Sequence, residues 1–163
     1  MNTIPPVLRR NSIHAALCLV LALTPACIAA QSGARASPPA ELLGEFRDDY
    51  GNSFRITDSV FTHLPGIRYR IVEWNVAERY LIAQNDAGNP SDGGLWTRID
   101  WMSFTGMAPY TWGFCLTAYQ ATSAAAARAT PAANRETPRT GCNGFPFSRM
   151  ERVQAPGRQP SRR

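Results

Sequence analysis

The residues with the most potential for chemistry lie in one short segment of the chain. Trp96, Arg98 and Asp100 alternate with Ile99 and Trp101. On a strand the first three side chains share one face, on which Arg98 can pair with Asp100 and stack against Trp96. Inside a barrel this buried pair would indicate a ligand site, whereas outside it would be an ordinary surface pair. The apolar character of Ile99 and Trp101 favours the outside interpretation.

Polar residues also lie at the end of the strand that precedes this segment. Gln84 and Asp86 carry hydrogen-bonding capacity that would either line a barrel mouth or cap a turn, and the composition of the following loop favours the turn. The sequence thus gives five candidate ligand-binding residues: Gln84, Asp86, Trp96, Arg98 and Asp100.

Catalytic and metal-binding groups are scarce. His63 is the single histidine after residue 30, and we expect it at the edge of a strand rather than in a Ser-His-Asp triad. Zinc sites usually need three or four His, Cys or acidic ligands, which this chain does not offer convincingly. Asp86 and Asp92, with Asn85 and Asn89, could surround calcium, but their spacing does not match an EF-hand. We therefore expect no catalytic residue, metal or cofactor.

The first 30 residues have the order of a secretion signal. Two arginines precede an apolar run over residues 15–23 that is too short to span a bilayer, and small residues follow Pro25. We expect cleavage after Ala30 and a secreted or periplasmic protein. The alternative is a lipid anchor at Cys27, which would place the protein on the outer membrane. We expect no membrane attachment other than this anchor.

Export changes the cysteine count. Cys18 would leave with the signal and Cys27 would be removed or acylated, so that Cys115 and Cys142 remain. In an oxidising compartment two cysteines predict one disulfide, which would stabilise the fold by roughly 3 kcal/mol.

The high isoelectric point does not indicate a basic binding face. Of the 17 basic residues, all arginines, 10 lie within residues 41–151 together with all 12 acids, so this region has a net charge of 10 − 12 = −2. Nucleic-acid binding requires basic residues clustered on a folded surface. We therefore expect no nucleic-acid partner.

Period-two hydrophobicity, typical of half-buried strands, dominates the region between two polar ends. We expect a disordered leader over residues 31–40, a β-barrel domain over residues 41–152 and a disordered basic tail over residues 153–163. About eight short strands favour a small antiparallel barrel, although a sandwich is the alternative. A short helix capped by Thr122 or Ser123 precedes the last strand. The predicted strands are 44–48, 53–57, 60–63, 67–74, 79–84, 95–104, 110–120 and 145–152.

The strand that begins at Tyr110 predicts the position of the disulfide. Trp112 and Phe114 share an aromatic face with Tyr110, which we expect in the core. Cys115 then points outward, where the loop bearing Cys142 can reach it. The disulfide would therefore pin the segment containing the helix to the barrel wall.

Three motifs resemble those of a group of small bacterial exported proteins and lipoproteins with no established activity. They are Tyr-Leu-Ile-Ala-Gln-Asn-Asp from residue 80, Trp-Thr-Arg-Ile-Asp-Trp from residue 96 and Gly-Cys-Asn-Gly-Phe from residue 141. The resemblance implies a disulfide-bearing domain and carries over no function. Gly44-Glu-Phe46 also resembles the Gly-x-Trp that opens lipocalin-like and avidin-like barrels, which implies a calycin-like barrel able to hold a ligand.

Three functions are compatible with these features. The first is a non-catalytic domain of the cell envelope that binds a small ligand or a partner protein, and an aromatic cavity open at one barrel end would support it. The second is a secreted hydrolase inhibitor that presents the loop over residues 85–94. The third is an exported enzyme using acids, which would need His63, Asp86 and Asp100 close together.

Overall fold

The computed structural model describes residues 37–154. The expected signal peptide, Cys27, the leader up to residue 36 and the tail from residue 155 lie outside the described residues. Within the described part, neither helix has the length and hydropathy that crossing a membrane would require.

The described chain forms a closed barrel of eight antiparallel strands in sequence order, with the last strand pairing with the first. Eight strands enclose an interior just wide enough for side chains. A 3-10 helix η1 (Ala40–Leu42) precedes the barrel, and helix α1 (Ala124–Ala129) precedes the last strand. The strands are β1 (Gly44–Asp48), β2 (Ser53–Ile56), β3 (Val60–His63), β4 (Ile67–Asn75), β5 (Tyr80–Asn85), β6 (Trp96–Ser103), β7 (Tyr110–Ala121) and β8 (Ser148–Arg152).

Inward-facing aromatic and aliphatic side chains fill one end of the barrel, which we call the closed end. Leu42 from η1 packs there against Trp74, Trp101 and Trp112. Only about 10 Å³ of empty space remains among these side chains. The Trp74 Nε1–H donates to the carbonyl oxygen of Asp58 at 2.8 Å, so its polar end is satisfied. This end therefore has no room for a ligand.

A β-bulge in β4 brings two core residues to the same side. Ile71 pairs with Ala83, but the next pair is Glu73 with Ile82, so Val72 is the additional residue. Val72 is exposed, and Ile71 and Trp74 both face inward although they are three positions apart. Strict alternation would have placed one of them outside.

A second layer covers part of the outer barrel wall. We call residues 122–147, which contain α1, the strap. Ser123 caps α1 by accepting a hydrogen bond from the backbone of Ala126. The Cys115–Cys142 disulfide, with 5.4 Å between the Cα atoms, joins the strap to β7, and Ala133 and Phe147 pack beside it. The sequence prediction that the disulfide pins this segment to the wall is confirmed.

The predicted fold class is confirmed: an eight-stranded antiparallel barrel, one short helix before the last strand and one disulfide. The predicted start of the last strand at residue 145 is wrong, because Cys142 and Phe145 exchange backbone hydrogen bonds in a turn and Pro146 follows. Pairing therefore begins at Ser148. η1 was not predicted, since its three residues follow two prolines in a segment that resembles a leader.

Candidate functional site

The other end of the barrel, which we call the mouth, is open. The β1–β2 turn (residues 49–52), the β3–β4 turn (residues 64–66) and the β5–β6 loop (residues 86–95) surround it. β8 starts opposite Phe114, so the upper part of β7 has no strand partner on the β8 side. The mouth is therefore bordered there by the strap, next to the disulfide.

An aromatic cavity of about 330 Å³ lies in the mouth. Its volume falls at the lower end of the range for small-molecule sites. The rings of Phe54, Phe61 and Phe114 form its floor and separate it from the packed closed end. The remaining lining residues are Asp48, Tyr50, Asn52, His63, Tyr69, Cys115, Leu116, Cys142, Phe145, Pro146 and Ser148.

The rings of the floor hold one another in place. Phe114 meets Phe54 and Phe61 in edge-to-face contacts with centroid distances of 5.4 and 5.3 Å. His63 stacks on Phe54 at 4.7 Å, and Tyr69 contacts Phe61 at 6.1 Å. Such pairs add about 0.5–1.5 kcal/mol each beyond the burial of their area. The floor is thus pre-formed.

Large apolar side chains at the rim of this cavity are exposed to solvent. Phe145 is 72% exposed at the tip of the turn that follows Cys142, and Tyr50 is 66% exposed in the β1–β2 turn. Leu64 and Tyr119 are also exposed on the surrounding segments. Several exposed apolar side chains grouped around a cavity are typical of a binding site.

A second cavity of about 230 Å³ lies beside the aromatic cavity, and we call it the polar cavity because amide, hydroxyl and carboxylate groups line part of it. The β5–β6 loop forms its outer side and is tied down from within the barrel by Asn85. The Asn85 amide accepts from Thr97 and donates to the carbonyl oxygens of Asp92 and Tyr119, both at 2.9 Å. The lining residues are Ile67, Tyr69, Asn85, Asn89, Ser91, Asp92, Leu116 and Tyr119.

Tyr69 and Leu116 line both cavities and so connect them. Burial raises the pKa of the Tyr69 phenol, and the nearby Asp92 carboxylate raises it further. Both effects disfavour the phenolate, so Tyr69 presents a neutral hydroxyl group at the junction.

Two carboxylates contribute negative charge to the cavities. Asp48 is buried and accepts hydrogen bonds from the backbone of Tyr50 and Asn52 and from the Asn52 side chain. Asp92 accepts from the Gln120 amide at 2.8 Å. Within residues 37–154, neither carboxylate pairs with an arginine, and no arginine lines either cavity.

Arg98 and Asp100 lie on the outer face of β6, as the sequence indicated, while Ile99 and Trp101 face the core. The interpretation of the pair as ordinary surface chemistry is wrong, because the strap covers it. Arg98 donates to both Asp100 carboxylate oxygens, at 2.9 and 3.1 Å, and the side chains are 5% and 0% exposed. The guanidinium lies 4.0 Å from the centroid of the Tyr80 ring, rather than on Trp96 as predicted.

Asp100 is the centre of a network that fastens the strap. It accepts further hydrogen bonds from Arg135 at 2.9 Å and from the Thr117 hydroxyl group. Arg98 also donates to the carbonyl oxygens of Arg128 and Thr130 at the end of α1. These contacts occupy the donors and acceptors of the pair, which indicates a structural role.

The edge of the strap carries another ion pair. Arg128 of α1 donates to both oxygens of the Glu73 carboxylate, with its Nε at 3.0 Å from Oε2 and 3.3 Å from Oε1 and its Nη2 at 2.5 Å from Oε2. The Arg128 hydrogen bond lowers the pKa of Glu73, burial opposes this, and the charge of Arg128 and a hydrogen bond from Tyr80 lower it further.

None of the five candidate ligand-binding residues lines the two mouth cavities. Trp96 packs with the apolar residues beneath α1. Gln84 donates to the carbonyl oxygen of Gly94 at 3.3 Å, and Asp86 accepts from the backbone of Gly88 at 3.0 Å, so both serve the loop. The binding role of all five stays a prediction.

Residues that line the mouth were not recognised as a site from the sequence. Phe54 and Phe61 lie on the consecutive strands β2 and β3, Phe114 lies on the distant strand β7, and each has the sequence surroundings of an ordinary core residue. The sequence predicts Phe145 as the first residue of the last strand, so its exposed position in a turn is not recognised either.

The groups considered for catalysis are not assembled. His63 lines the aromatic cavity, Asp86 begins the β5–β6 loop, and Asp100 is buried beneath the strap. Among residues 37–154 there is no group of three or more His, Cys, Asp or Glu side chains able to hold a metal ion.

Comparison with protein-family models, curated proteins and solved structures finds no match to this chain.

Proposed function

We propose that this chain is an exported, non-catalytic binding protein that holds a small, partly aromatic ligand in the mouth of its barrel. The observation that carries the proposal is the aromatic cavity of about 330 Å³ with an exposed aromatic rim. A barrel that served only as a rigid body would gain stability from filling this space, as the closed end does.

The division of the barrel into two ends supports the proposal. The closed end is packed and supplies stability, so the mouth can remain open without collapse of the floor. The ligand would lie on Phe54, Phe61 and Phe114 and contact the rim through Tyr50 and Phe145. Export places this site in the periplasm or outside the cell.

Filling the cavity with a side chain tests the site. Ser148 faces the barrel interior in line with Phe114 and lines the aromatic cavity, so Ser148→Trp should occupy it. Thr111→Trp is the matched control, because Thr111 is exposed on β7 near the closed end. Aromatic fragments of each charge type would be titrated calorimetrically into the wild type and both variants.

We expect fragments to bind the wild type and the Thr111→Trp variant alike, and to bind Ser148→Trp at least ~10-fold more weakly, a loss of about 1.4 kcal/mol. Circular dichroism checks that both variants fold. Phe145→Ala provides a second test, since it removes an exposed rim ring without touching the core. Equal binding by all four proteins would contradict the proposal.

A hydrolase inhibitor is a second candidate, which the β5–β6 loop favours. Asn89 holds this loop to the barrel through both the backbone N–H and the carbonyl oxygen of Arg68, each at 2.9 Å. A loop that is both exposed and braced suits insertion into an active site. Shortening residues 87–91 should abolish capture of a hydrolase from periplasmic extract, and unchanged capture would count against it.

A further inference from the structure

The charge distribution around the mouth restricts the ligand further. Of the 10 arginines within residues 41–151, none lines the aromatic or the polar cavity. Four acids outside the two cavity linings, Glu45, Asp49, Glu73 and Asp100, each form an ion pair with an arginine, whereas Asp48 and Asp92 form none in the described part of the chain. Over residues 37–154, the linings of the two mouth cavities thus contain carboxylates and no guanidinium group.

From this arrangement we infer that the ligand of the mouth is an organic cation, an ammonium group that carries an apolar or aromatic substituent. The inference rests on the proposed function and names the chemical class of its ligand.

The aromatic cavity provides the first half of the recognition. A cation gains electrostatic energy over the face of an aromatic ring within about 6 Å of the centroid, and a cage of several rings recognises quaternary ammonium groups. Phe54, Phe61, Phe114 and Tyr69 surround one space of about 330 Å³. Tyr50 and Phe145 line the same cavity and are exposed, so their rings are accessible to a bound group.

The carboxylates provide the second half. Asp92 lies on the polar side, and Asp48 is buried at the aromatic side without an arginine partner among the described residues. The influence of Asp92 on the pKa of Tyr69 shows that its negative charge is felt at the junction of the cavities. An anionic ligand would meet repulsion from both carboxylates, and a neutral ligand would gain nothing from them.

Three probes of similar shape and different charge separate these possibilities. They are benzyltrimethylammonium, its neutral carbon isostere neopentylbenzene, and phenylacetate. Each would be titrated into the full-length protein at pH 8 and low salt, with binding followed by NMR of the backbone amides. We expect the cation to bind about 10-fold more tightly than the neutral isostere, and phenylacetate to bind most weakly.

A charge-removing variant tests the role of Asp92. Asp92→Asn keeps the loop intact, because Asp92 has a φ of 56° that asparagine also tolerates, and the amide oxygen can still accept from Gln120. Asp58→Asn is the matched control, since it removes the same charge from an exposed turn at the closed end. We expect Asp92→Asn to weaken cation binding about fivefold and to leave neopentylbenzene unaffected, while Asp58→Asn changes neither.

The outcomes separate the inference from the proposed function. Equal or tighter binding of neopentylbenzene at the mouth, or equal effects of Asp92→Asn and Asp58→Asn, would overturn the cation inference and leave the mouth as a binding site. Failure of all three probes would also overturn the inference. The proposed function falls only if, in addition, the aromatic fragments bind Ser148→Trp as well as the wild type.

Discussion

At the scale of single residues, burial decides what a charged group can do. Arg98 and Asp100 have the residue types of a binding site, yet the strap and its carbonyl groups use their hydrogen bonds. Asp48 is also buried and hydrogen-bonded, but it lines the aromatic cavity, and the half-buried Asp92 lines the polar cavity. The chemistry of a residue type therefore has to be interpreted with its position relative to a cavity.

Substitution of Asp100 tests the structural role of the buried network. Asp100→Asn should destabilise the fold by about 3–5 kcal/mol, because it leaves the buried guanidinium group of Arg98 and the half-buried one of Arg135 without a counter-charge. Glu45→Gln removes the acid of an exposed pair with Arg55 and should cost less than about 1 kcal/mol. Urea unfolding measures both, and similar costs for the two variants would show that the network is not a structural anchor.

At the scale of elements, the strap is held to the outer wall by three kinds of contact. These are the disulfide, the Asp100 network and the Glu73–Arg128 ion pair. The disulfide lies beside the mouth, because both of its cysteines line the aromatic cavity. The disulfide that attaches the strap therefore also helps to shape the mouth.

Removing the disulfide should lower stability without unfolding the barrel. The double variant Cys115→Ser and Cys142→Ser should lose roughly 3 kcal/mol, since the 27-residue separation no longer restrains the unfolded chain. It should also bind mouth ligands more weakly, because the Phe145 turn loses its covalent support. Urea unfolding and fragment titration measure the two effects. An unchanged unfolding midpoint would contradict the assigned role of the bridge.

The Glu73–Arg128 pair predicts a loss of stability in acid. The folded-state pKa of Glu73 lies below its ordinary value of 4.5, chiefly through the Arg128 hydrogen bond. Its stabilising contribution is therefore present above pH 4.5 and is lost as the pH falls through the folded-state value. The free energy of unfolding of Glu73→Gln should decline less steeply below pH 4.5 than that of the wild type. Parallel profiles would exclude this contribution.

At the scale of the whole molecule, alternation of apolar residues predicts the fold well. The side chains of a strand alternate between two faces, and only one of these faces points into the barrel. This alternation gives the inward positions of Trp112 and Phe114 on β7 and the outward position of Cys115. It does not predict the bulge at Val72, which follows from packing between neighbouring strands. The last strand begins later than predicted because the Cys142–Phe145 turn precedes it.

The candidate site is less predictable for a different physical reason. A residue on the outer face of a strand reads as exposed, and the sequence gives no sign that the strap covers Arg98 and Asp100. Phe54, Phe61 and Phe114 likewise read as core, although they lie where the filled part of the barrel ends. The cover over Arg98 and Asp100 and the position of the cavity both depend on how separate segments of the chain come together, which local periodicity does not record.

Export remains a prediction at this scale. Mass spectrometry of the protein recovered from the periplasm should give an N-terminus at Gln31. A diacylated fragment that begins at Cys27 would establish the lipid-anchored alternative. An intact Met1 would contradict both routes.

The most direct test of the central claim is to locate bound aromatic fragments on the protein by NMR. Chemical shifts of the backbone amides would be followed while a fragment that binds is titrated into the wild type. The account predicts that the perturbed amides cluster at the mouth, within residues 48–54, 61–69, 114–119 and 142–148. Perturbations centred on Arg98 and Asp100 beneath the strap, or at the closed end around Trp74, would contradict it.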